Sequence, residues 1–466
     1  MLVLERENSM NIKEIANACN GDIICGDENA EVKGFSKDTR TILAGYIYVG
    51  IKGENLDGNS YYLEALDKGA VACIIEEHFK DKLELENIKE NAIIIVKDSI
   101  KALQDIAKYR REQYNIPVVA VTGSVGKTST KDIIASGLSK KYRVLKTEGN
   151  NNNHIGLPLT ILKLENQNAM VVEMGMNHFG EIRVLTNIAK PSICVISNIG
   201  TAHIGILGSR ENILKAKLEI LEGMQEGGTV VINNDNDLLH KWAEKNKKNY
   251  NIVTFGIENH SDYMAYEIKE YEDRVEYKTN IRGKEYEVKV PVPGKNFVYN
   301  SLSAVAVGLL CDIEPEPIIQ GIEDFELTKK RMEIIKKNGI TIINDSYNAS
   351  YDSMKSGLEY LRTLTGKRKI AVLGDMLELG DFSKELHEKV GEEVVKNEID
   401  ILVTVGTFSK HIANIAKQKG VDTVLSFDNN VEAGEYLLKC IKEGDVILLK
   451  ASNSMKFGEI LETITK

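Results

Sequence analysis

The residues best suited to chemistry lie in one glycine-containing segment, Val118 to Thr130, with the sequence VVAVTGSVGKTST. An apolar run typical of a buried strand leads into Gly123 and Gly126, and Lys127 and Thr128 follow at the start of a predicted helix. Glycines let main-chain N–H groups face one concavity, and a helix N-terminus adds partial positive charge, so this order is typical of a phosphate-binding loop. We expect Lys127 to reach the outer phosphates of a nucleotide and Thr128 to bind Mg²⁺.

This loop is shorter than the form found in GTPases. The common pattern has a glycine five residues before Gly126, where this chain has Val121. An ordinary glycine turn between a strand and a helix is the alternative interpretation. The residues of the loop that we expect to contact a nucleotide are Gly123, Ser124, Val125, Gly126, Lys127, Thr128 and Ser129.

Two further side chains follow predicted strands of the same sheet. Glu173 ends the run that begins at Met170, and His203 comes after the run Ile193–Ile196. A carboxylate at the carboxyl end of a strand beside a phosphate loop is well placed to bind Mg²⁺, although a solubilising charge is the alternative. The histidine is either a ligand in the same site or an ordinary structural residue.

Lys217 lies on the apolar side of a predicted helix that covers residues 211–221. Its neighbour Lys215 has a glutamate four residues away on each side, which is typical of a solvent-exposed face. Lys217 instead lies between Ile213 and Leu221, where an unpaired ammonium group is costly. Either its stem reaches solvent along the protein edge, or the lysine is paired or altered in a site, for example carbamylated into a metal-binding anion.

Positioning these residues requires a parallel sheet. After Pro117, apolar strand-like runs alternate with helical stretches, which predicts βαβ units. A period-two pattern over Asp262–Pro293 predicts a small antiparallel meander, and a helix is predicted over Phe297–Leu310. A third block starts near Arg331 and repeats strand and helix five times, which predicts a separate doubly wound sheet. Before Pro117, short apolar strands precede a predicted helix over Ser99–Tyr114.

The length of 466 residues indicates about three domains at roughly 150 residues each. We predict an α/β fold with three domains: a small α/β domain over residues 1–114, a central P-loop ATPase-type domain with a mostly parallel sheet over 115–328, and a C-terminal Rossmann-like doubly wound domain over 329–466.

Composition excludes several classes of protein. Apolar residues make up 42% and charged residues 27%, which is typical of a globular protein. The net charge of −10 argues against a generic binder of nucleic acid or anionic membrane, and the apolar runs are too short to span a bilayer. The six cysteines are scattered without a metal-binding spacing, so we expect a cytoplasmic protein without a disulfide framework.

Together these motifs resemble the Mur ligases, ATP-dependent amide-bond-forming enzymes of peptidoglycan synthesis. The motifs that carry the resemblance are Thr122–Thr128 (TGSVGKT), Glu173, His203, Ala216–Glu219 (AKLE), Gly149–Pro158 and Gly294–Asn300. It covers essentially the whole chain and implies Lys127, Lys217 and His203 as catalytic residues, with ATP and two Mg²⁺ ions as cofactors. By this resemblance Thr128 and Glu173 hold one ion, and His203 and a carbamylated Lys217 hold the other.

The outer domains are similar to the branch of the family that adds D-alanyl-D-alanine to UDP-N-acetylmuramoyl tripeptide. The similar stretches are Ser36–Arg40 (SKDTR), Gly53–Gly58, Asp345–Ala349 (DSYNA), Leu373–Gly380 (LGDMLELG) and His387. The resemblance implies that ATP phosphorylates the terminal carboxylate of the tripeptide, and that the amine of the dipeptide then attacks the acyl phosphate. It also implies small-molecule substrates, a monomer, and closure of the domains around the site.

The resemblance implies contacts with the nucleotide and substrates in all three domains. The implied nucleotide contacts outside the loop are Asn296, Asn300, Arg331, Asp345 and Tyr347. The implied substrate contacts are Ser36, Asp38, Thr39, Arg40, Gly53, Asn152, Asn153 and Asn348. The chain departs from the family's usual residues at Asn296-Phe297, Ser350-Tyr351 and Asn453.

Two other functions fit parts of these observations. A folate-type polyglutamate ligase would share the central and third domains, but the Ser36–Arg40 run argues against it. A catalytically silent nucleotide-binding scaffold is the second alternative, against which the presence of Lys127, Glu173, His203 and Lys217 argues.

Overall fold

Runs of valine and isoleucine form the buried strands of this protein, because β-branched side chains pack well on a pleated surface that is covered on both faces. Val118–Thr122 and Ala92–Val96, for example, are buried along their whole length. The computed structural model describes residues 9–88, 90–327 and 331–466. The predicted boundary between residues 328 and 329, and the first eight residues of the predicted N-terminal domain, lie outside these ranges.

The N-terminal region folds into an α/β unit around a five-stranded sheet. Its elements are β1 (Met10–Asn11), α1 (Ile12–Ala18), β2 (Asp22–Cys25), β3 (Glu31–Val32), β4 (Gly34–Ser36), β5 (Tyr46–Val49), α2 (Tyr62–Asp67), β6 (Ala72–Glu76), β7 (Ala92–Val96) and α3 (Ser99–Glu112). The strand order is β2-β7-β6-β5-β4, and only β2 runs antiparallel to its neighbour. Strands β1 and β3 form a separate antiparallel pair.

Helix α3 joins this unit to the rest of the chain through two buried arginines. The guanidinium group of Arg110 donates to the carbonyl of Leu164, with its Nε 3.1 Å from the oxygen. The Nε of Arg111 donates to the carbonyl of Ala189 at 2.8 Å. Because both partners belong to the central region, these hydrogen bonds attach α3 to that region.

The central region contains a nine-stranded sheet. Its elements are β8 (Val118–Thr122), α4 (Lys127–Leu138), β9 (Val144–Lys146), α5 (Gly156–Ile161), β10 (Ala169–Glu173), α6 (Glu181–Ala189), β11 (Ile193–Ile196), α7 (Ile204–Leu207), α8 (Arg210–Leu218), β12 (Thr229–Asn233), α9 (Asp237–Asn246), β13 (Asn251–Gly256), β14 (Tyr263–Glu270), β15 (Val275–Ile281), β16 (Lys284–Val290), α10 (Lys295–Leu310) and α11 (Pro315–Glu323). The order is β16-β15-β14-β13-β12-β11-β8-β10-β9. Strands β8 to β14 are parallel, and β15 and β16 add the predicted antiparallel meander at one edge.

The third region is a six-stranded sheet with helices on its faces. Its elements are β17 (Glu333–Lys337), β18 (Ile340–Asn344), α12 (Tyr351–Thr363), β19 (Arg368–Gly374), α13 (Ser383–Lys396), β20 (Ile401–Val405), α14 (Lys410–Gln418), β21 (Thr423–Phe427), α15 (Asn430–Cys440), β22 (Asp445–Lys450) and α16 (Gly458–Ile464). The order is β17-β18-β22-β19-β20-β21. Five strands are parallel, and β17, which the sequence did not predict, pairs antiparallel with β18.

The predicted α/β class is therefore confirmed, with three mixed or mostly parallel sheets and the small β1–β3 pair. Across the described ranges, none of the helices combines the length and apolarity needed to cross a bilayer.

Candidate active site

The site forms where β8, β10 and β11 end. These strands are parallel neighbours, so their carboxyl ends meet at one edge of the sheet, and the third region faces this edge. A cavity of about 440 Å³ lies between the two regions. The predicted residues that line it are Ser124, Val125, Gly126, Lys127, Thr128, Ser129, Asn152, Asn153, Glu173, His203, Asn296, Asn300, Arg331, Asp345, Tyr347 and Asn348.

The start of helix α4 is shaped to bind an anion. Gly126 adopts a left-handed conformation with φ of 79°, which glycine adopts without steric cost. The helix begins with no side-chain hydrogen bond at its N-cap. The N–H groups of its first turn are therefore open to a phosphate oxygen, in the region where the helix dipole is positive.

Asn198, which sequence reasoning missed, holds the phosphate loop in shape. Its Oδ1 accepts the N–H groups of Ser124 at 3.1 Å and of Val125 at 2.9 Å, and its Nδ2 donates to the carbonyl of Val125 at 2.8 Å. That Ser124 and Val125 contact a nucleotide stays a prediction, and both residues line the cavity. Their main-chain N–H groups bind Asn198, so main-chain phosphate contacts fall to the residues from Gly126 onward.

Two lysines share one main-chain carbonyl behind the loop. The Nζ atoms of Lys127 and Lys217 each lie 3.0 Å from the carbonyl oxygen of Gly123. The side chain of Lys217 is 1% exposed, as the apolar helix position predicted. Neither Lys217 nor Gly123 is among the described residues that line the cavity. Burial lowers the pKa of Lys217 well below its usual value, and the charge of Lys127 lowers it further.

The arrangement around Glu173 provides oxygen ligands. Its Oε2 accepts the hydroxyl of Thr128 at 2.8 Å, and its Oε1 accepts Nδ2 of Asn152 at 2.8 Å. A carboxylate beside a threonine hydroxyl at the mouth of a phosphate loop fits Mg²⁺, which takes one or two protein oxygens and completes its coordination with phosphate and water.

His203 bridges the central and third regions. Its Nδ1 lies 2.7 Å from Oε2 of Glu378, a residue of the third region that sequence reasoning did not assign to the site. Burial lowers the pKa of His203, and the hydrogen bond from His203 holds the pKa of Glu378 below its usual value. A neutral imidazole that donates from Nδ1 to a carboxylate keeps Nε2 free as an acceptor or metal ligand.

The third region contributes two cationic side chains, Arg331 and Lys450, to the lining of the cavity, and one donor of Arg331 has no partner in the described part of the chain. The guanidinium of Arg331 stacks on the ring of Tyr347 at 4.0 Å, and its buried Nε has no hydrogen-bond partner among the described residues. A buried donor left unpaired is costly, so this position suits an anionic ligand. Lys450 forms an ion pair with Asp345 and donates to the carbonyl of Asn348 at 3.3 Å.

Three predicted asparagines already have partners. Asn300 accepts the Thr130 hydroxyl at 3.0 Å, and Asn296 donates to the hydroxyl of Ser356 at 2.5 Å. The Oδ1 of Asn153 accepts the N–H of Gly156 at 2.8 Å, at the start of α5. Asn153 therefore has a structural bond that the sequence prediction did not include.

The predicted first-domain contacts do not lie in the cavity. Ser36, Asp38, Thr39, Arg40 and Gly53 belong to the N-terminal unit, and none of them is among the described residues that line the cavity. Arg40 binds the Asp38 carboxylate with two nitrogens, at 2.9 and 2.6 Å. Thr39 donates to Glu64 at 2.8 Å. Ser36, Asp38, Thr39, Arg40 and Glu64 form a separate polar cluster, joined by the hydrogen bonds of Ser36, Thr39 and Arg40.

His387 is a fully buried support for the loop that contains Glu378. Its Nε2 accepts the N–H of Met376 at 3.0 Å, and its Nδ1 lies 2.7 Å from the carbonyl of Ser383. Both nitrogens are therefore used in the neutral form, with Nδ1 as the donor. Burial lowers the pKa of His387 below its usual value.

We expect this histidine to make the protein less stable in mild acid. Below the unfolded-state pKa of about 6.5 the unfolded chain takes up a proton that the folded chain does not, so stability present above that pH is lost as the pH falls. The slope from one residue is at most about 1.4 kcal/mol per pH unit. Thermal midpoints measured from about pH 7.5 to about pH 5.5 should fall less steeply for His387→Gln than for wild type. The exposed His260 provides the control, His260→Gln; parallel curves for wild type and His387→Gln would contradict the prediction.

Comparisons with known proteins agree with this geometry. The Mur ligase middle domain family matches residues 121–308, and the family described as Mur ligase, glutamate ligase domain, matches residues 330–453. The UDP-N-acetylmuramoyl-tripeptide–D-alanyl-D-alanine ligase of Bacillus subtilis is 38% identical over 97% of this chain and 98% of its own length.

Solved structures give the same result. MurF from Acinetobacter baumannii has a TM-score of 0.89 at 29% identity, covering 98% of this chain and 99% of its own. MurF ligase from Thermotoga maritima, in complex with ADP, has a TM-score of 0.81 at 29% identity, covering 93% and 97%. Sequence and structure therefore agree along nearly the whole length, and the chain belongs to the Mur ligase family.

Proposed function

We propose that this protein is an ATP-dependent ligase that joins D-alanyl-D-alanine to UDP-N-acetylmuramoyl tripeptide in the synthesis of peptidoglycan precursors. The observation that carries the proposal is the cavity between the central and third regions. It combines a phosphate loop, an oxygen site for Mg²⁺ and an unpaired arginine donor. Relatives that carry this enzyme name are similar along almost the entire chain.

Each predicted domain has a separate task in this proposal. Residues 1–114 bind the UDP-sugar through the cluster that contains Ser36, Asp38, Thr39 and Arg40, and through Gly53. Residues 115–328 bind ATP and Mg²⁺, and residues 329–466 cover the nucleotide and hold the dipeptide. We also propose that the enzyme is cytoplasmic and acts as a monomer on small-molecule substrates.

The first chemical step forms an acyl phosphate. The terminal carboxylate oxygen of the tripeptide attacks the γ-phosphorus of ATP, the bond to the β,γ-bridging oxygen breaks, and ADP leaves. Lys127 and the N–H groups at the start of α4 stabilise charge on the phosphoryl oxygens, because this reaction depends mainly on positioning and electrostatics. Thr128 and Glu173 would hold Mg²⁺, which supplies further positive charge to the phosphates when bound.

The second step forms the amide bond. The amine of D-alanyl-D-alanine attacks the acyl carbon, the carbon–oxygen bond to phosphate breaks, and the amine nitrogen loses a proton. The unpaired Nε of Arg331 is available to the phosphate, while Asn348 would face the dipeptide. Closure of the third domain excludes water, which would otherwise hydrolyse the acyl phosphate.

We propose a carbamate on Lys217 as part of a second metal site with His203. A neutral amine reacts with CO₂ to give a carbamate and a proton, and the lowered pKa of Lys217 provides that neutral amine. The change replaces the neutral amine beside the Lys127 ammonium group by an anion, and the attraction between the two opposite charges favours the carbamate. The donor set of a carbamate oxygen and an imidazole nitrogen suits a divalent cation.

The dipeptide-adding reaction is preferred to the polyglutamate reaction on folate. The 38% identity to the D-alanyl-D-alanine ligase extends through the N-terminal unit, which contains the Ser36–Arg40 run. A silent scaffold is disfavoured because Lys127, Glu173 and His203 line one cavity.

Release of phosphate tests the proposed function directly. With ATP, Mg²⁺ and UDP-N-acetylmuramoyl tripeptide, we expect phosphate release at a steady rate only after D-alanyl-D-alanine is added, because the dipeptide amine discharges the acyl phosphate. Free D-alanine and a folate substrate serve as controls. Turnover with a free amino acid or with folate in place of the proposed pair would reject the assignment, and nucleotide binding without any turnover would indicate the silent scaffold.

A further inference from the structure

The loop that follows β11 is held by the third region at two separate points. Asp352, in the first turn of α12, accepts both the N–H and the hydroxyl of Thr201, each at 2.8 Å. Glu378, in the loop after β19, lies 2.7 Å from Nδ1 of His203 through its carboxylate. Its main-chain carbonyl accepts the N–H of Gly205 at 3.2 Å. The two contacts fix this loop against the third region on both sides of His203.

Two glycines of this loop lie too close to the third region to have a side chain, Gly205 against its backbone and Gly200 against the side chain of Asp352. A Cβ atom on Gly205 would lie 2.3 Å from the carbonyl carbon of Leu379, and one on Gly200 would lie 2.4 Å from Oδ2 of Asp352. These distances are far below ordinary contact. The main chains of the two regions are therefore in direct contact at Gly205, and the contact of Glu378 with His203 is part of a closely packed interface.

Both members of the bridging pair have a strained backbone. His203 has φ of 64° and Glu378 has φ of 62°, in the left-handed region that costs free energy for residues other than glycine. Such strain persists only where the surroundings hold it, and it is concentrated at functional sites. Glu378 is held by its neighbours, since Met376 N–H binds His387 and Leu377 N–H donates to Ser452 at 3.1 Å.

The bond between Glu378 and His203 decides which imidazole nitrogen is free. A carboxylate that accepts from Nδ1 fixes the proton on that nitrogen and sets the orientation of the ring. The lone pair of Nε2 is then available, and His203 lines the cavity. Without Glu378, either nitrogen can hold the proton and the ring can rotate.

We propose that Glu378 is a positioning residue that makes His203 a metal ligand only when the third region is seated on the loop after β11. The inference rests on the proposed function, since it takes His203 as a ligand of the second divalent cation. It adds a consequence: domain closure and completion of that metal site are one event. ATP can then bind to the open protein, while the second cation is bound tightly only in the closed form.

The test measures Mn²⁺ binding to the full chain with a non-hydrolysable ATP analogue and UDP-N-acetylmuramoyl tripeptide present. For Glu378→Ala we expect the weaker of two Mn²⁺ affinities to fall by about 10- to 100-fold, the usual effect of removing a group that orients a metal ligand. The tighter site at Thr128 and Glu173 should be unchanged. Glu378→Gln keeps an acceptor at the same distance and should lie between wild type and Glu378→Ala. Glu388→Ala is the matched control, because the ion-pair partner of Glu388 is Lys384 of its own helix.

Nitrogen NMR of labelled histidines provides a readout that does not depend on metal or activity. The chain contains eight histidines, and the His203→Ala variant identifies the signal of His203. In wild type we expect the proton on Nδ1; in Glu378→Ala the signal should move toward the other tautomer. Glu388→Ala should match wild type, and thermal unfolding shows whether each variant is folded.

The outcomes separate this inference from the proposed function. In one outcome, His203→Ala loses the second Mn²⁺, whereas Glu378→Ala keeps wild-type affinity for that ion and the proton on Nδ1 of His203. This result would reject the role of Glu378 and leave the proposed metal site in place. If His203→Ala binds two Mn²⁺ ions like wild type, or if wild type binds only one, His203 is not a ligand and the proposed second metal site is rejected. The inference is supported only if Glu378→Ala loses affinity for the second Mn²⁺ and also loses the preference for the proton on Nδ1 of His203.

Discussion

Replacing Lys217 by alanine is expected to lower kcat by at least about 10³-fold, because the proposed second metal site loses its anionic ligand. A bound cation contributes several kcal/mol to stabilising charge in the transition state, and each 1.36 kcal/mol corresponds to a factor of ten. Lys217 is suited to carbamylation by its surroundings: it is buried, it shares the Gly123 carbonyl with Lys127, and its pKa is lowered. The measurement is steady-state phosphate release with saturating substrates.

Chemical rescue distinguishes this role from a structural one. A small carboxylate such as formate or acetate is expected to restore part of the activity of Lys217→Ala by occupying the position of the carbamate. Wild-type activity should also fall in CO₂-depleted buffer and return with bicarbonate. Lys215→Ala, which changes an exposed lysine on the same helix, is the control and should remain active. Full activity of Lys217→Ala without any added carboxylate would exclude the carbamate.

Replacing Lys127 by methionine is expected to lower kcat by about 10²- to 10³-fold. This is the usual effect of removing a donor that stabilises charge in the transition state. Methionine preserves the length of the stem, so the substitution removes the ammonium charge with little change in packing. The loss should appear in kcat more than in the affinity for an ATP analogue, because the main-chain N–H groups at the start of α4 still bind the phosphates.

A single-turnover measurement of ADP formation checks this prediction, since it isolates phosphoryl transfer from product release. The control is Lys163→Met, which changes an exposed lysine whose partner is the exposed Glu148. An unchanged rate of ADP formation in Lys127→Met would show that Lys127 has no part in phosphoryl transfer. An equal loss in ATP affinity and in kcat/KM, with kcat intact, would instead assign it to ground-state binding.

Local patterns in the sequence were enough to predict the parts of the site that depend on neighbouring residues. The phosphate loop was evident because strand, glycines, lysine and helix follow one another within Val118–Thr130. The burial of Lys217 followed from helical periodicity over about ten residues. Strands β8, β10, β11 and β12 were predictable because they are buried and consist of uninterrupted apolar runs, whereas β9 and β13 are less buried and were not predicted.

The remaining contacts could not be predicted because they join residues far apart in the chain. His203 and Glu378 are separated by 175 residues, Thr201 and Asp352 by 151, and Asn198 and Val125 by 73. Asp352 and Asn198 have no local pattern that marks them. Glu378 lies in the motif Leu373–Gly380, but the motif does not indicate that His203 is its partner. Strand Glu333–Lys337 was missed for a different reason, since its charged residues at an exposed sheet edge hide the alternation of a strand.

The hydrogen bonds of Asn198 have a thermodynamic consequence for ATP binding. Because this side chain already holds the amides of Ser124 and Val125, the conformational entropy of the loop is lost when the chain folds and not when the nucleotide arrives. Ordering a residue costs about 1–2 kcal/mol. Since the loop is ordered on folding, this entropy cost is not subtracted from the free energy of ATP binding, and the affinity for ATP is higher. Asn198 thereby links the stability of the fold to the affinity for the nucleotide.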